Sequence, residues 1–156
     1  MRRFEPVGNH ARLNYYQPGA LIHRGFVVCD TNPTSNLTTL DAWTTVTDGV
    51  KSMSLAYTPP VDAVAEVTAK IAAYHTTQYE PVQFSIYQGA SSISYMTWKM
   101  DHKDTVEIYE WSTTPRELVG GTAYTFTCKY YVSNITLTLV GAEMYSYFKI
   151  MVRRKP

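Results

Sequence analysis

Charged residues are scarce in this sequence, and the scarcity limits the partners that the protein can attract. Charged types make up 17% of the 156 residues, below the roughly 25% usual for soluble domains. The formal net charge is +1, so the chain has no general field to attract nucleic acid or anionic lipid. We therefore expect no nucleic-acid partner. Basic residues do collect near both ends, where they are either solvated or in contact with an acidic neighbouring subunit.

Only two cysteines occur, Cys29 and Cys128, and no Cys-x-x-Cys pair exists. Zinc and thioredoxin-like sites therefore have no support. Cys29 ends a short apolar run and Cys128 alternates with apolar residues, so both are predicted to be small buried hydrophobic side chains. A disulfide between them stays open, because it requires their strands to be neighbours.

The motifs of nucleotide and acyl chemistry are also missing. Gly120 and Gly121 precede a strand pattern rather than a helix, which argues against a phosphate-binding loop. The stretch 89–93 lacks the second glycine of a hydrolase elbow. Glu107 and Glu110 are an odd number of positions apart, so a strand places them on opposite faces, unlike paired glycosidase carboxylates. We predict no catalytic residue.

Metal, membrane and secretion signals are weak as well. The histidines are scattered, and a charged hairpin tip explains Asp101, His102 and Asp104 more simply than a cation site does. We predict no metal and no cofactor. The longest uncharged stretch, residues 81–98, is interrupted by Gln and Ser and would not be stable in lipid, so we expect no membrane insertion. The N-terminal residues lack the apolar segment of a secretory signal.

Tyrosine, threonine and serine are common polar residues in this chain, where charged residues are few, and they alternate with apolar residues. The sequence contains 13 tyrosines. After the two glycines at 120 and 121, apolar side chains occupy every second position, a period typical of a strand with one buried face. The predicted inward residues are Tyr124, Phe126, Cys128, Tyr130 and Val132.

The same period recurs along most of the chain. Turn-forming clusters separate the alternating segments roughly every 8 to 12 residues, which predicts an all-β fold, an antiparallel β-sandwich or barrel of about eight to ten strands. We expect a single sandwich domain over residues 26–156. Its other inward residues are predicted to be Met53, Leu55, Tyr57, Val82, Phe84, Ile86, Met96, Trp98, Met100, Val106, Ile108, Met144, Phe148, Ile150 and Val152.

Residues 61–74 fit two patterns. At a period of two, alternating valine, alanine and isoleucine face one way, while Glu66 and Lys70 face the other. At helical spacing Val64 and Ile71 also share a face, and the alanine content favours helix. We favour a strand because the neighbouring segments are strands.

Residues 1–25 show no sustained period and contain several glycine, proline and asparagine residues. Their apolar residues are too many for a freely solvated tail. We predict an extended N-terminal arm that orders against its own domain or, in preference, against a neighbouring protein. The arm residues expected at this interface are Arg2, Arg3, Phe4, Tyr15, Tyr16, Leu21 and Ile22.

Several aromatic residues fall on strand faces opposite the apolar ones. Aromatic side chains with a polar tip suit contacts with proteins or glycans. Two interpretations stay open: the residues line an exposed subunit interface or glycan groove, or both sheet faces are buried and they belong to the core. They are Tyr95, Tyr109, Trp111, Tyr131, Tyr145 and Tyr147.

Two segments carry a family resemblance: residues 55–71, LAYTPPVDAVAEVTAKI, and residues 120–125, GGTAYT. They resemble the C-terminal jelly-roll domains of virion proteins from tailed bacteriophages and prophages, which occur in tail, fibre and neck components. The resemblance covers roughly residues 43–152. It implies a jelly-roll β-sandwich that often assembles as a homotrimer, and it makes residues 61–71 a strand.

The resemblance also implies a function. It indicates a non-enzymatic structural protein of the virion, assembled in the host cytoplasm, whose partners are its own copies and other capsid or tail proteins. No long shaft or coiled coil precedes the domain in this sequence, so a capsid-decorating protein competes with a tail or fibre component. The alternative function is a carbohydrate-binding module that recognises host-surface glycans. A glycosidase would need two carboxylates about 5 to 10 Å apart in a groove.

Overall fold

The computed structural model describes residues 18–32, 34–75, 81–99, 102–133, 135–141 and 146–156. These residues form strands and no helix, and the strands build two antiparallel sheets packed face to face. The predicted all-β sandwich is therefore confirmed. The strands are β1 (Leu21–Val28), β2 (Thr34–Leu37), β3 (Thr44–Thr45), β4 (Ser54–Tyr57), β5 (Ala63–His75), β6 (Pro81–Gln88), β7 (Ser91–Lys99), β8 (Glu107–Ser112), β9 (Arg116–Leu118), β10 (Tyr124–Tyr131), β11 (Leu137–Val140) and β12 (Tyr147–Arg154).

The strand order is jelly-roll-like. In the larger sheet, β1 pairs with β12 and β12 with β5, while β8 and β9 pair with the opposite edge of β5. In the smaller sheet β10 pairs with β6 on one edge and with β4 and β3 on the other, and β7 pairs with β6. β1 and β12, the first and last of the described strands, are thus neighbours, which closes the sandwich.

β5 is the central strand of the larger sheet, because both of its edges are paired along most of its length. On one edge, residues 63–70 pair with β12 and residues 73–75 with β11. On the other edge, residues 63–65 pair with β9 and residues 68–73 with β8. The segment that fits both strand and helix patterns is therefore a strand, as predicted, and a helix there would give up the pairing of four neighbours.

Alternating side chains fill the space between the sheets. The inward residues of β5 are mostly alanines, and larger side chains come from β6, β10 and β12. The inward faces predicted for those three strands are confirmed, although Tyr124 is only partly buried and Met144 lies outside the described residues. The buried members are Val82, Phe84, Ile86, Phe126, Cys128, Tyr130, Val132, Phe148, Ile150 and Val152.

The two segments that carry the family resemblance meet in one backbone joint. The Gly121 amide donates a hydrogen bond to the carbonyl oxygen of Pro59 at 2.7 Å, and the Gly120 amide donates one to Asp62 Oδ1 at 2.9 Å. A Cβ at position 120 would lie 2.9 Å from the main chain of Val61, so this close approach requires glycine. The joint holds the start of β5 beside the connection from β9 to β10.

The face predicted for the segment around β8 is wrong. Ile108, predicted to point inward, is 47% exposed. Tyr109 and Trp111 point towards the smaller sheet instead, where the centroids of their rings lie 3.9 Å from that of Trp98 and 5.9 Å from that of Phe84, respectively. The two aromatic rings bury more apolar surface than valine and isoleucine would, so ring packing decides which face turns inward.

The first strand also begins earlier than the sequence pattern predicts. β1 starts at Leu21, within the segment assigned to the arm, and it pairs with β12 over its whole length. The sequence pattern does not reveal this strand, because His23, Arg24 and Gly25 interrupt its apolar alternation. Glycine is needed at position 25, because a Cβ there would lie 2.8 Å from Cγ2 of Ile150. Residues 1–17 lie outside the described residues.

A buried carboxylate holds the loop before β4. Asp48 is 1% exposed; its Oδ1 accepts hydrogen bonds from the amides of Val50 and Lys51 at 2.9 and 2.6 Å, and its Oδ2 accepts one from the Thr31 amide at 2.9 Å. Burial alone would raise the pKa of Asp48, but the amide donors outweigh it and lower the pKa. The ionised carboxylate therefore stabilises the fold above its unfolded pKa, and this contribution is lost as the pH falls towards the lowered value.

Replacing this carboxylate tests its role. Asp48→Asn is expected to lower the free energy of unfolding by about 1–3 kcal/mol at neutral pH, since an amide offers one acceptor oxygen and no charge. The difference from the wild type should shrink as the pH falls below about 4, because the carboxylate of the unfolded chain becomes protonated there, before that of the folded protein. Urea unfolding at several pH values measures both effects.

Asp30→Asn is the matched control. Asp30 pairs with Lys51 at 2.6 Å, but both side chains are more than 40% exposed, so the loss should be below about 1 kcal/mol. Equal destabilisation in the two variants, or a deficit in Asp48→Asn that does not change with pH, would contradict the assignment.

Candidate binding surfaces

The structure divides the predicted interface aromatics among three places. Tyr95 and Tyr131 lie on the outer face of the smaller sheet, since they alternate with buried core residues on β7 and β10. Tyr109 and Trp111 lie between the sheets at the β8 rim. Tyr147 lies on the outer face of the larger sheet. These residues therefore do not form a single surface.

An aromatic cluster covers the outer face of the smaller sheet. The centroid of the Trp43 indole lies 5.6 Å from that of the Tyr131 ring and 6.0 Å from those of Tyr87 and Tyr95. The tyrosines come from three strands, β10, β6 and β7, and their planes are inclined to the indole by 45° to 67°. We call Trp43, Tyr87, Tyr95 and Tyr131 the aromatic face. The sequence pattern indicates that Tyr87 points outward, but nothing local to Trp43 shows where its side chain lies.

Polar groups adjoin the aromatic face. The Tyr131 hydroxyl donates a hydrogen bond to Asp41 Oδ1 at 3.4 Å, and Thr97 Oγ1 donates one to the Tyr95 hydroxyl at 3.3 Å. Tyr95 is 54% exposed, while the other three rings are partly exposed. The surface thus presents an aromatic centre that is open to solvent and has hydrogen-bonding groups beside it.

The edge of the larger sheet at β8 forms a second candidate surface. Among the described strands, only β5 pairs with β8, so the other edge of β8 has no strand partner there. Ile108 is 47% exposed, Val106 is 45% exposed and Tyr109 is 37% exposed. Aliphatic side chains exposed on an unpaired edge strand are a hazard that monomeric proteins usually avoid. We call these three residues the β8 edge.

The two glutamates of β8 lie on opposite sides of the sheet, as predicted. Glu107 Oε2 accepts a hydrogen bond from Trp98 Nε1 at 3.0 Å. Glu110 Oε2 accepts one from the Tyr147 hydroxyl at 2.6 Å. Each carboxylate therefore has its own aromatic partner, and the two do not share a groove as the carboxylates of a glycosidase do.

The cysteines do not form a reactive site. Cys29 and Cys128 are buried free thiols, which confirms that they act as small hydrophobic side chains. Burial, together with the nearby charge of Asp48, raises the pKa of Cys29 to about 11, and burial also raises the pKa of Cys128. The nucleophilic thiolate form is therefore disfavoured at neutral pH.

Two further features are absent from the described ranges. No group of three or more His, Cys, Asp or Glu residues there could hold a metal ion. No helix in those ranges is long and apolar enough to span a membrane.

Of the residues predicted for the arm interface, the structure describes only Leu21 and Ile22. Leu21 is 47% exposed at the start of β1, and Ile22 packs against the core. Both residues are positioned by the pairing of β1 with β12 rather than by a separate arm. The remaining predicted interface residues lie outside the described residues: Arg2, Arg3, Phe4, Tyr15, Tyr16 and Tyr145.

Tyr147 occupies a charged setting on the outer face of the larger sheet. Its ring centroid lies 5.3 Å from that of Phe26, and Nζ atoms of Lys70 and Lys149 lie 5.7 and 5.6 Å from it. Burial, and then the hydrogen bond to the Glu110 carboxylate, raise the pKa of Tyr147 to about 12. The phenol therefore stays protonated and keeps donating to Glu110 over a wide pH range.

Removing the carboxylate should lower the pKa of Tyr147. In Glu110→Gln we expect the phenol to titrate below about 12 but still above the ordinary value of about 10, because burial is the larger cause and remains. NMR titration of the tyrosine ring carbons measures the shift, with Glu117→Gln as a control on the neighbouring strand β9. An unchanged pKa in Glu110→Gln would show that the hydrogen bond does not contribute.

Comparisons with known proteins identify no family for this chain. No protein-family model matches the sequence. No curated protein matches it either.

Proposed function

We propose that this protein is a non-enzymatic structural component of a tailed-bacteriophage particle, formed by a jelly-roll domain that associates with its own copies. The resemblance of residues 55–71 and 120–125 suggests the class of particle, and the joint between these segments gives both a structural role. The observation that carries self-association is the β8 edge. Assembly would take place in the host cytoplasm, with capsid or tail proteins as further partners.

The β8 edge suits contact with another protein for two reasons. Its strand has backbone groups that no described strand pairs, and a second chain can use them. Its exposed side chains are apolar or aromatic, so burying them away from water lowers the free energy of the assembly. They are Val106, Ile108 and Tyr109. Burying them between copies would remove the hazard of an apolar edge that is open to solvent.

The proposed assembly is a homotrimer, and its size sets a requirement on the contact. A stable interface buries more than roughly 1,000 Å² in total, so three exposed side chains are not sufficient by themselves. The β8 edge would form the apolar centre of a larger contact, in which surrounding polar residues contribute area. Removing the apolar centre should therefore dissociate the assembly without unfolding the domain.

Light scattering of purified protein at micromolar concentration tests this contact. The wild type is expected to be a trimer, and Ile108→Lys is expected to be a monomer, because burying the ammonium group in an apolar contact is costly. Val119→Lys is the matched control, since Val119 is 61% exposed and lies outside the β8 edge. A monomeric wild type would contradict self-association, whereas a trimeric Ile108→Lys variant would place the contact elsewhere.

Removing the arm tests its attachment to the particle. The deletion should cover residues 1–17 only, because residues 21–28 pair with β12 and their loss would damage the sandwich. Particles of the phage or prophage that encodes the protein are expected to contain the full chain but little of the truncated one, as measured by immunogold labelling and quantitative mass spectrometry. Normal occupancy of the truncated chain would refute anchoring by the arm, and absence of the full chain from particles would refute a virion role.

A carbohydrate-binding module is the second candidate function, and a specific observation favours it. The aromatic face is open to solvent, lies on the smaller sheet, and is separate from the β8 edge on the larger one. A protein can combine both properties, because the two surfaces do not share residues.

A further inference from the structure

We propose that the aromatic face binds a neutral oligosaccharide of pyranose sugars, with Trp43 and Tyr95 as the stacking residues. This inference does not rest on a virion role or on self-association, because the β8 edge lies on the other sheet. It rests on the arrangement of rings and polar groups across β10, β6 and β7.

The strand register assembles the site from three rows. Tyr131, Gln83 and Thr97 lie side by side across the three strands, because each is paired with the next. Lys129, Ser85 and Tyr95 form the next row in the same way. The third row contains Thr127, Tyr87 and Ser92.

The central residue of these three rows, Ser85, is shielded from solvent. Ser85 alternates with inward residues on β6, so it points outward, yet it is fully buried. Its hydroxyl is satisfied by Ser92 Oγ at 2.6 Å and by the carbonyl oxygen of Ser94 at 2.8 Å. The indole of Trp43 lies within 6.0 Å of rings on all three strands, so it is on the same side of the sheet as Ser85. The small side chain of Ser85 leaves room for large rings on this face.

The chemistry of the face matches that of a pyranose ring. A pyranose presents a patch of C–H groups that packs on an aromatic ring, and hydroxyls around its rim that need hydrogen-bond partners. Tyr95, which is 54% exposed, and the indole supply the aromatic surface. Gln83, Thr97 and the phenol groups supply donors and acceptors at the same level. No charged ligand is required.

The tyrosines are held in place before any ligand arrives. Lys129 Nζ lies 4.3 Å from the centroid of the Tyr87 ring, a cation–π contact. Long hydrogen bonds, at 3.4 and 3.3 Å, also join the hydroxyls of Tyr131 and Tyr95 to Asp41 and Thr97. Ordered side chains lose little entropy on binding, which matters for a shallow site that buries only part of its ligand.

The composition of the face favours a sugar over a protein partner. Apart from Pro81, the outward residues of β6, β7 and β10 are aromatic, hydroxyl, amide or lysine side chains, without exposed aliphatic groups. Protein interface cores are depleted in lysine and serine, and this face contains both, at Lys129 and Ser92. From β10 to β7 the distance is about 10 Å, two strand spacings and roughly the length of two linked sugar rings.

NMR and intrinsic-fluorescence titrations with defined neutral oligosaccharides test the site. The probes are cellohexaose, maltohexaose, mannohexaose and chitohexaose, and the protein is the full chain. At least one probe is expected to bind with a dissociation constant on the order of 0.1–1 mM, because an open face buries only part of the ligand surface. Binding should shift the resonances of the Trp43 indole and the Tyr95 ring.

Substitutions show which side chains provide the free energy of sugar binding. Tyr95→Ala is expected to weaken binding at least about tenfold, because it removes an exposed stacking ring without opening the core. Tyr95→Phe should keep most of the affinity, and Trp43→Ala should abolish detectable binding. Phe26→Ala is the matched control, since Phe26 is 40% exposed on the larger sheet, and it should stay within about twofold of the wild type. Circular dichroism checks that each variant is folded.

The outcomes separate this inference from the proposed function. No binding of any probe, or binding that Tyr95→Ala leaves unchanged, would overturn the sugar site. If Tyr95→Ala dissociates the trimer and the probes do not bind, the aromatic face is a protein interface, which also overturns it. A monomeric wild type that binds a probe supports the sugar site while contradicting self-association.

Discussion

Pairing of both edges of β5 along most of its length is the constraint on which the rest of this fold depends. Four strands that are distant in sequence find their positions by pairing with its thirteen residues. Its inward alanines leave the space between the sheets to larger rings from β6, β10 and β12. Alanine favours helix in isolation, so tertiary pairing overrides local propensity here, and stability depends on contacts between distant parts of the chain.

Much of the sandwich is predictable from the period of the sequence, and the failures have a physical pattern. Where one face is clearly apolar, as in β6, β10 and β12, the inward residues follow directly from alternation. Around β8 both faces are apolar, since Ile108 alternates with Tyr109 and Trp111, and the choice depends on rings of another strand. The start of β1 cannot be read from the pattern, because Gly25 interrupts the alternation. Only the packed structure shows why glycine is there, since a Cβ at that position would clash with Ile150.

The candidate surfaces were harder to predict than the fold, because they combine residues that no local pattern links. Tyr95 and Tyr131 could be identified as outward aromatics on their own strands. Their grouping depends on Trp43, which precedes a two-residue strand and reaches rings on β10, β6 and β7. The two surfaces also differ in chemistry, since one combines two aliphatic side chains with a tyrosine at a sheet edge, while the other is aromatic and lies across a sheet face. The two surfaces share no residues, so a molecule that covers one of them leaves the residues of the other accessible.

The joint between Gly120 and the turn at Pro59 has a consequence for how such domains diverge. The hydrogen bond from Gly120 to Asp62 spans 58 positions, and the main chains approach so closely that a Cβ at position 120 would lie 2.9 Å from the main chain of Val61. Substitutions on the two sides should therefore occur together over evolutionary time. Distant homologues that have lost general identity can be sought by this co-varying pair of short segments and by the spacing between them.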